Sequence, residues 1–253
     1  MRQAIRALGW ASNVFWIILL FFTVTTVYSA FQLRPGFGQP YESTSGGTFM
    51  VSLPFHIDNG GLYDISDVNL TTFIKDDYGL SVSNSSTFVR LIPHGSNVSA
   101  THQMSVSVSQ IATGNLRYLI LNDSTLNIDV ALKLNYAHVV PFKISSNLTM
   151  PWGAPLSNLA LGTPSLTPTG AIIPISFENH SFFVLTGTMR LEIVDNHNNV
   201  VGERTTALNV QSQSGYGTEL DVSISGDPTN IREARLYFQT SVFNYGPLVI
   251  ALV

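Results

Sequence analysis

The sequence predicts an all-β body, two tandem β-sandwich domains following one N-terminal transmembrane helix. Three observations carry this prediction: one uncharged apolar stretch near the N-terminus, period-2 alternation in the short runs beyond it, and an ordered recurrence of those runs in a second half. A chain of 253 residues, less a membrane segment, has room for two domains of about 100 to 120 residues, each able to bury a core.

The first element is the helix. Residues 1–9 are assigned to a cytoplasmic N-terminus and 10–30 to a signal-anchor helix. No charge falls between Arg6 and Arg34, and Val14 to Phe22 reads VFWIILLFF. The uncharged stretch exceeds the roughly 20 residues needed to cross a hydrocarbon core. Thr23, Thr25 and Thr26 are expected to return their hydroxyls to carbonyls one turn earlier, and Trp10 and Tyr28 fall near the two interfaces. Arg2 and Arg6 against Arg34 alone favour an inside N-terminus and an outside body, with the lipid bilayer as the first partner. Removal as a signal peptide, with Val27-Tyr28-Ser29 before Ala30, is the competing reading, although the apolar run is longer than the usual 7 to 15 or so.

Composition limits what the body does. Charged residues make up 11% of the chain, against about 25% in an average soluble protein. Net charge is −4, and the lysines are Lys75, Lys133 and Lys143. That leaves no basic stripe for neutralising phosphates, so nucleic acid is excluded as a partner. Cysteine is absent, which removes disulfides, Cys-ligated zinc, thiol nucleophiles and blue-copper sites. An outside body must then be held by its cores.

Residues 31–46 contain Pro, Gly and Ser in RPGFGQPYESTSGG from Arg34 to Gly47, which reads as an extended tether. The first sandwich is placed at 47–150. Its clearest strand is Leu126 to Tyr136, where Leu126, Ile128, Val130, Leu132, Leu134 and Tyr136 alternate with polar or small residues. Met104, Val106 and Val108 repeat that pattern, as do Leu220, Val222 and Ile224, while a short helical turn is expected around Gly114 to Leu121. Residues 151–169 form a Pro-rich connection, part of which, Leu159 to Leu166, is a candidate opening edge strand for the second sandwich at 170–253. Three matches support the repeat: Phe55–Asn59 with Ile175–Asn179, Phe73–Asp77 with Glu192–Asn196, and Leu134–Tyr136 with Phe243–Tyr245. The last run, Tyr245 to Val253, is expected to close the second sandwich, with pairing in a neighbouring subunit as the alternative.

An opening strand ending in Asn59, the turn Asp76-Asp77-Tyr78-Gly79, and Ile92-Pro93-His94-Gly95-Ser96 before a polar–apolar strand together resemble the LEA14-like, or WHy, β-sandwich. The second copy keeps Asn179 and the turn Asp195 to Asn199 but lacks the Pro-x-Gly-Ser element. The resemblance implies a non-catalytic sandwich and no particular ligand. Low charge, absent cysteine and many sequons also resemble archaeal envelope proteins in composition.

The sequence offers no catalytic, cofactor-binding or metal residue, and no cofactor is expected. His56, His94, His102, His138, His180 and His197 are dispersed without metal-ligand spacing, although His94 and His102 flank one turn and are a candidate pair. Asp195-Asn196-His197-Asn198-Asn199 and Asp76-Asp77-Tyr78-Gly79 read as turns rather than calcium loops. Asp58 and Glu178, at matching positions, read as structural, and Trp152 as a packed wedge between domains rather than a sugar platform. Sequons at Asn69, Asn84, Asn97, Asn122, Asn147 and Asn179 suit N-glycosylation if the body is outside. The expected function is a non-catalytic, membrane-anchored extracytoplasmic structural or binding component of the cell envelope, with other envelope proteins or glycans as partners. The alternative is an accessory subunit of a membrane complex or of a donor-strand filament.

Overall fold

The computed structural model describes residues 2–45, 47–225 and 230–252. Met1, Gly46 and Val253, which belong to the N-terminal, tether and closing-strand assignments, lie outside the described residues. Helix α1 is Arg2–Ala30. The first sandwich contains β1 (Leu33–Phe37), β2 (Tyr41–Ser45), β3 (Thr48–Asn59), β4 (Ile65–Lys75), β5 (Ser81–Ile92) and β6 (Ser96–Ser107). Helix α2 (Val108–Thr113) and a 3-10 turn (Arg117–Ile120) follow, then β7 (Ser124–Tyr136) and β8 (Val140–Trp152). The second contains β9 (Ser157–Leu161), β10 (Ser165–Thr167), β11 (Gly170–Asn179), β12 (Leu185–Asp195), β13 (Val200–Val210), β14 (Ser214–Ser223), β15 (Ile231–Thr240) and β16 (Asn244–Ala251). The protein is all-β apart from α1 and the short insertion.

The two copies share one topology. In the first, β1 and β2 follow one another along one edge of β3 and β6 takes the other edge, while the facing sheet runs β5-β4-β7-β8. In the second, β9 and β10 share an edge of β11, β14 takes the other, and the facing sheet runs β13-β12-β15-β16. All pairs are antiparallel, as short turns between consecutive strands require. The insertion of α2 and the 3-10 turn between β6 and β7 has its counterpart in the shorter β14–β15 connection, which accounts for the longer first copy.

Over its described residues 31–45 the assigned tether is not free, and the edge of the second sandwich begins at Ser157, inside the Pro-rich stretch. Both segments fold as interrupted edge strands, where Pro costs no ladder bond if its nitrogen faces outward. The interruption is the same in both copies: Gly38 N donates to Pro54 O and Gly162 N to Pro174 O, each at 2.8 Å. The third repeat match fails. Leu134–Tyr136 ends β7, whereas Asn244 and Tyr245 open β16, so that resemblance joins two different elements.

The matched asparagines are structural corners. Asn59 Nδ2 donates to the carbonyls of Tyr63, Ile92 and Pro93 at 3.0–3.2 Å, and its Oδ1 accepts from Gly61 N. Asn179 Nδ2 donates to Phe183, Val210 and Gln211, and its Oδ1 accepts from the amide and hydroxyl of Ser181. One buried amide thus ties a strand end to two loops in each copy. The Asn179→Ala chain is expected to lose about 2–3 kcal/mol, because the carbonyls it serves stay buried without that donor. Urea unfolding of the full chain in mild detergent checks this, and a midpoint within experimental error of the parent would refute the corner.

Two apolar clusters make the cores. The smaller lies at the helix-proximal end of the first sandwich and includes Phe55, Ile57, Ile65, Val68, Leu70, Ile92 and Tyr136. The larger begins in the first sandwich with Ile74, Val106 and α2, passes through Trp152 and Leu156, and continues as the core of the second. The sandwiches are therefore fused through a continuous core.

Candidate functional site

One concavity carrying titratable groups lies at this fusion. It measures about 500 Å³ and is lined by Asp123, Ser124, Trp152, His180, Phe182 and Gln213, with Pro151 and Gly153. Strand β8 delivers Trp152, whose Nε1 donates to Leu119 O at 2.8 Å, and whose ring meets Phe182 edge-on at 6.1 Å. Trp152 is 2% exposed, the wedge that the Pro-rich flank suggested. Gly153 has to be glycine, since a Cβ there would stand 1.8 Å from His180 O. That close approach lets His180 N reach Ala154 O at 3.0 Å.

His180 sits between two carboxylates. Its Nδ1 is 2.7 Å from Asp123 Oδ2 and its Nε2 is 2.8 Å from Glu178 Oε2. The hydrogen bond to Asp123 chiefly raises the imidazole pKa above its usual value, opposed by partial burial and supported by Glu178. Asn158 and then His180 hold the Glu178 carboxyl below the usual range. Both ring nitrogens are engaged by acids, and Ser124 Oγ donates to Asp77 at 3.0 Å, so no base–nucleophile pair is assembled at His180. The group works as an ionic clasp across the junction. Because the folded pKa of His180 is raised, its contribution is fully present below about pH 6.5 and is lost as pH rises through the folded value. The parent is expected to lose thermal stability on going from mildly acidic to alkaline buffer by a margin that His180→Gln removes. Parallel slopes for the two proteins would show the clasp to be idle.

The other sequence candidates separate. His94 and His102 do not meet: His94 is an exposed residue bonded to Asp64, while His102 is buried inside the first sandwich. There Nε2 of His102 contacts Thr72 Oγ1 at 2.9 Å and Ser85 Oγ at 3.1 Å, and Nδ1 contacts Thr87 Oγ1 at 2.9 Å. Burial lowers its pKa, which favours the neutral ring. This polar layer escapes sequence reading, since the partners of His102 come from two other strands, β4 and β5. Both Asp turns are confirmed: Asp76 Oδ1 accepts from Tyr78 and Leu80 amides, and Asp195 Oδ1 from His197 and Asn199 amides. Asp58 and Glu178 lie at the ends of β3 and β11, in separate sandwiches. Among the described residues no group of three or more His, Asp or Glu is placed to hold a metal.

The sequons also divide. Asn84, Asn97, Asn122 and Asn147 are exposed, and Asn69 is half-buried. Register puts Asn69, Asn84 and Asn147 on the outer face of the β5-β4-β7-β8 sheet, around Phe73 and Asp129. Asn179 is corrected: it is 0% exposed, and its Nδ2 is the corner donor, so a glycan there is incompatible with this fold.

No family model matches the chain, and no curated protein matches it. Among solved structures, a bacterial adhesin from Mobiluncus mulieris containing intramolecular disulfide, isopeptide and ester bond cross-links aligns at TM-score 0.30 and 9% identity. That alignment covers 85% of this chain and 84% of that one. Red sea bream transglutaminase aligns at TM-score 0.31 and 13% identity over 87% of this chain, which spans 31% of the enzyme's length. A structural genomics target, SoR45, aligns at TM-score 0.30 and 13% identity, with 49% of this chain and 88% of that chain covered. Likenesses at this level assign no function.

Proposed function

We propose that this is a membrane-anchored, extracytoplasmic structural or binding component of the cell envelope, non-catalytic and held with its N-terminus inside. The carrying observation is that α1, whose Trp10–Ala30 portion is long and apolar enough to cross a membrane, is joined directly to two sandwiches fused by a common core. Such an object is a stiff projection from an anchor. Retention of the helix draws support from Thr25 and Ser29, which are hydrogen-bonded to Tyr63 and Tyr136 of the body. Arg2 and Arg6 on the N-terminal side support the orientation. The recurring Asn59 and Asn179 corners support reading each copy as LEA14-like. Envelope proteins and glycans are the partners, and Asn84, Asn97, Asn122 and Asn147 are the sequons open to modification.

A second reading, the accessory subunit, draws on β8. Its 13 residues are mostly exposed, its outer edge is unpaired among the described residues, and Phe142, Ile144 and Leu148 project from it. The donor-strand filament draws no such support, because β16 pairs with β15 of its own chain.

Intact cells treated with protease test the main reading. The body is expected to be digested from outside, and mass spectrometry of the membrane fraction to find α1 still attached. Full protection of the body, or a mature chain starting at Ala30, would sink it. Co-migration of other subunits in mild detergent would favour the accessory role.

A further inference from the structure

We infer that the helix-proximal end of the first sandwich is itself a membrane-contacting surface. It is seated in the interfacial layer of the outer leaflet, so that α1 and the sandwich meet the bilayer as one body. This rests on the anchor reading above, and adds to it a second lipid contact made by the folded domain.

The first observation is that no slack separates helix from sandwich. Between Ala30 and Leu33 the chain turns at once, with Gln32 N donating to Ser29 O at 3.0 Å. The Ser29 hydroxyl is hydrogen-bonded to Tyr136 OH and accepts from Leu62 N. One turn earlier, Thr25 Oγ1 lies 2.7 Å from Tyr63 OH, and the Phe22 and Tyr63 rings meet edge-on at 5.7 Å. Gly61 is what allows the approach, since a Cβ there would stand 2.5 Å from both Ser29 Oγ and Tyr136 OH. The sandwich therefore grips α1 from Phe22 to its end.

Length then decides where the membrane lies. From Trp10 to Phe21, the apolar part of α1 below the grip, the helix rises only about 18 Å at about 1.5 Å per residue. Extending the count down to Ala7 gives about 22 Å by the same rise. A hydrocarbon core of about 30 Å needs more. If the sandwich stood clear in water, the anchor would be short by roughly 8–12 Å, and every ångström of mismatch costs free energy. The gripped segment must therefore sink, and the end of the sandwich goes with it. The depth required is close to the roughly 5–10 Å at which amphipathic elements sit in the interface.

The chemistry of that end suits such a place. Phe31 is 81%, Leu62 58% and Val139 68% exposed in the isolated protein. Beside them an apolar groove of about 470 Å³ runs between α1 and β8, lined by Phe22, Val27, Phe31, Val140 and Phe142. These side chains are continuous with the helix surface that lipid already covers, and lipid is the one occupant that covers both. Tyr63 adds a ring of the amphipathic kind that settles at this level. Asp64, His94 and His138, which are grouped at the same end, are polar groups for the headgroup layer.

The chain contains no cysteine, so single-cysteine probes report one site each. Leu62→Cys, Val139→Cys, Ile18→Cys and Tyr78→Cys are labelled with a small environment-sensitive fluorophore in the full chain, reconstituted in phosphatidylcholine vesicles. Lipids spin-labelled near the headgroup or along the acyl chain serve as quenchers. Labels at Leu62 and Val139 are expected to be quenched several-fold more by the shallow lipid than the label at Tyr78, and the label at Ile18 by the deep lipid. Quenching at Ile18 but none at Leu62 and Val139 overturns this inference and leaves the anchor standing. Absence of quenching at Ile18, with the protein remaining in solution when vesicles are floated, overturns both. All four positions are exposed in the isolated protein, and an unchanged melting midpoint for each labelled protein verifies its fold.

Discussion

Trp152→Ala is expected to lose about 3–5 kcal/mol of stability, the range for removing a large buried aromatic side chain, and to split one unfolding transition into two. The side chain is held between Leu119 of the 3-10 turn and Phe182 of the second sandwich, within the larger core cluster. Its removal opens a cavity where the larger core passes from the first sandwich to the second. It also leaves Leu119 O without the indole donor. Trp152→Phe isolates that second effect: ring packing largely remains, and the loss should fall to about 1–2 kcal/mol. Urea unfolding of the full chain in mild detergent, followed by circular dichroism and by limited proteolysis, reads both quantities. A Trp152→Ala chain that still unfolds in one step, within about 0.5 kcal/mol of the parent, a shift typical of surface substitutions, would mean that Trp152 is not what couples the two sandwiches.

Local signals in the sequence carried far. Strands with one wet and one dry face announce themselves by alternation, which is why Leu126 to Tyr136 is legible almost to the residue. The Asp76 and Asp195 turns are legible because an aspartate closing on amides two and four residues ahead is a local device. The corner asparagines could be matched as a repeat, but their role could not, since their carbonyl partners lie up to 34 residues away. For the same reason Asn179 reads as a sequon, although folding buries it. The edge strands β1 and β2 were hidden by their own permissiveness, and β9 and β10 were legible only as the single candidate Leu159 to Leu166: Pro and Gly look like linker when the hydrogen bonds needed from the strand run along one side only. Nothing local marks the clasp at His180 either. Asp123 comes from the insertion of the first copy, while Glu178 and His180 come from the end of β11 and the residue after it.

Removing Leu248 to Val253 should unfold the second sandwich within a single chain. In the intact protein, β16 lies against β15 with Leu236 opposite Leu248, Arg235 opposite Val249 and Ala234 opposite Ile250, and Leu252 N donates to Arg232 O at 3.1 Å. Leu248, Ile250 and Leu252 pack against the shared core, while Val249 points outward at 60% exposure. Deleting three such aliphatic side chains forfeits several kcal/mol of apolar burial, at up to about 1.5–3 kcal/mol each. The ladder partners left on β15 add to the loss. A domain of this size has only about 5–15 kcal/mol of stability in total. Because the core continues through Trp152, the damage should reach the first sandwich, and a red shift of tryptophan fluorescence together with new proteolytic cuts near β15 would report it. The comparison belongs at matched concentration in mild detergent, with size-exclusion chromatography alongside. Should the truncated chain melt like the parent while only larger assemblies disappear, the strand serves a neighbouring subunit, and a filament replaces the self-contained projection.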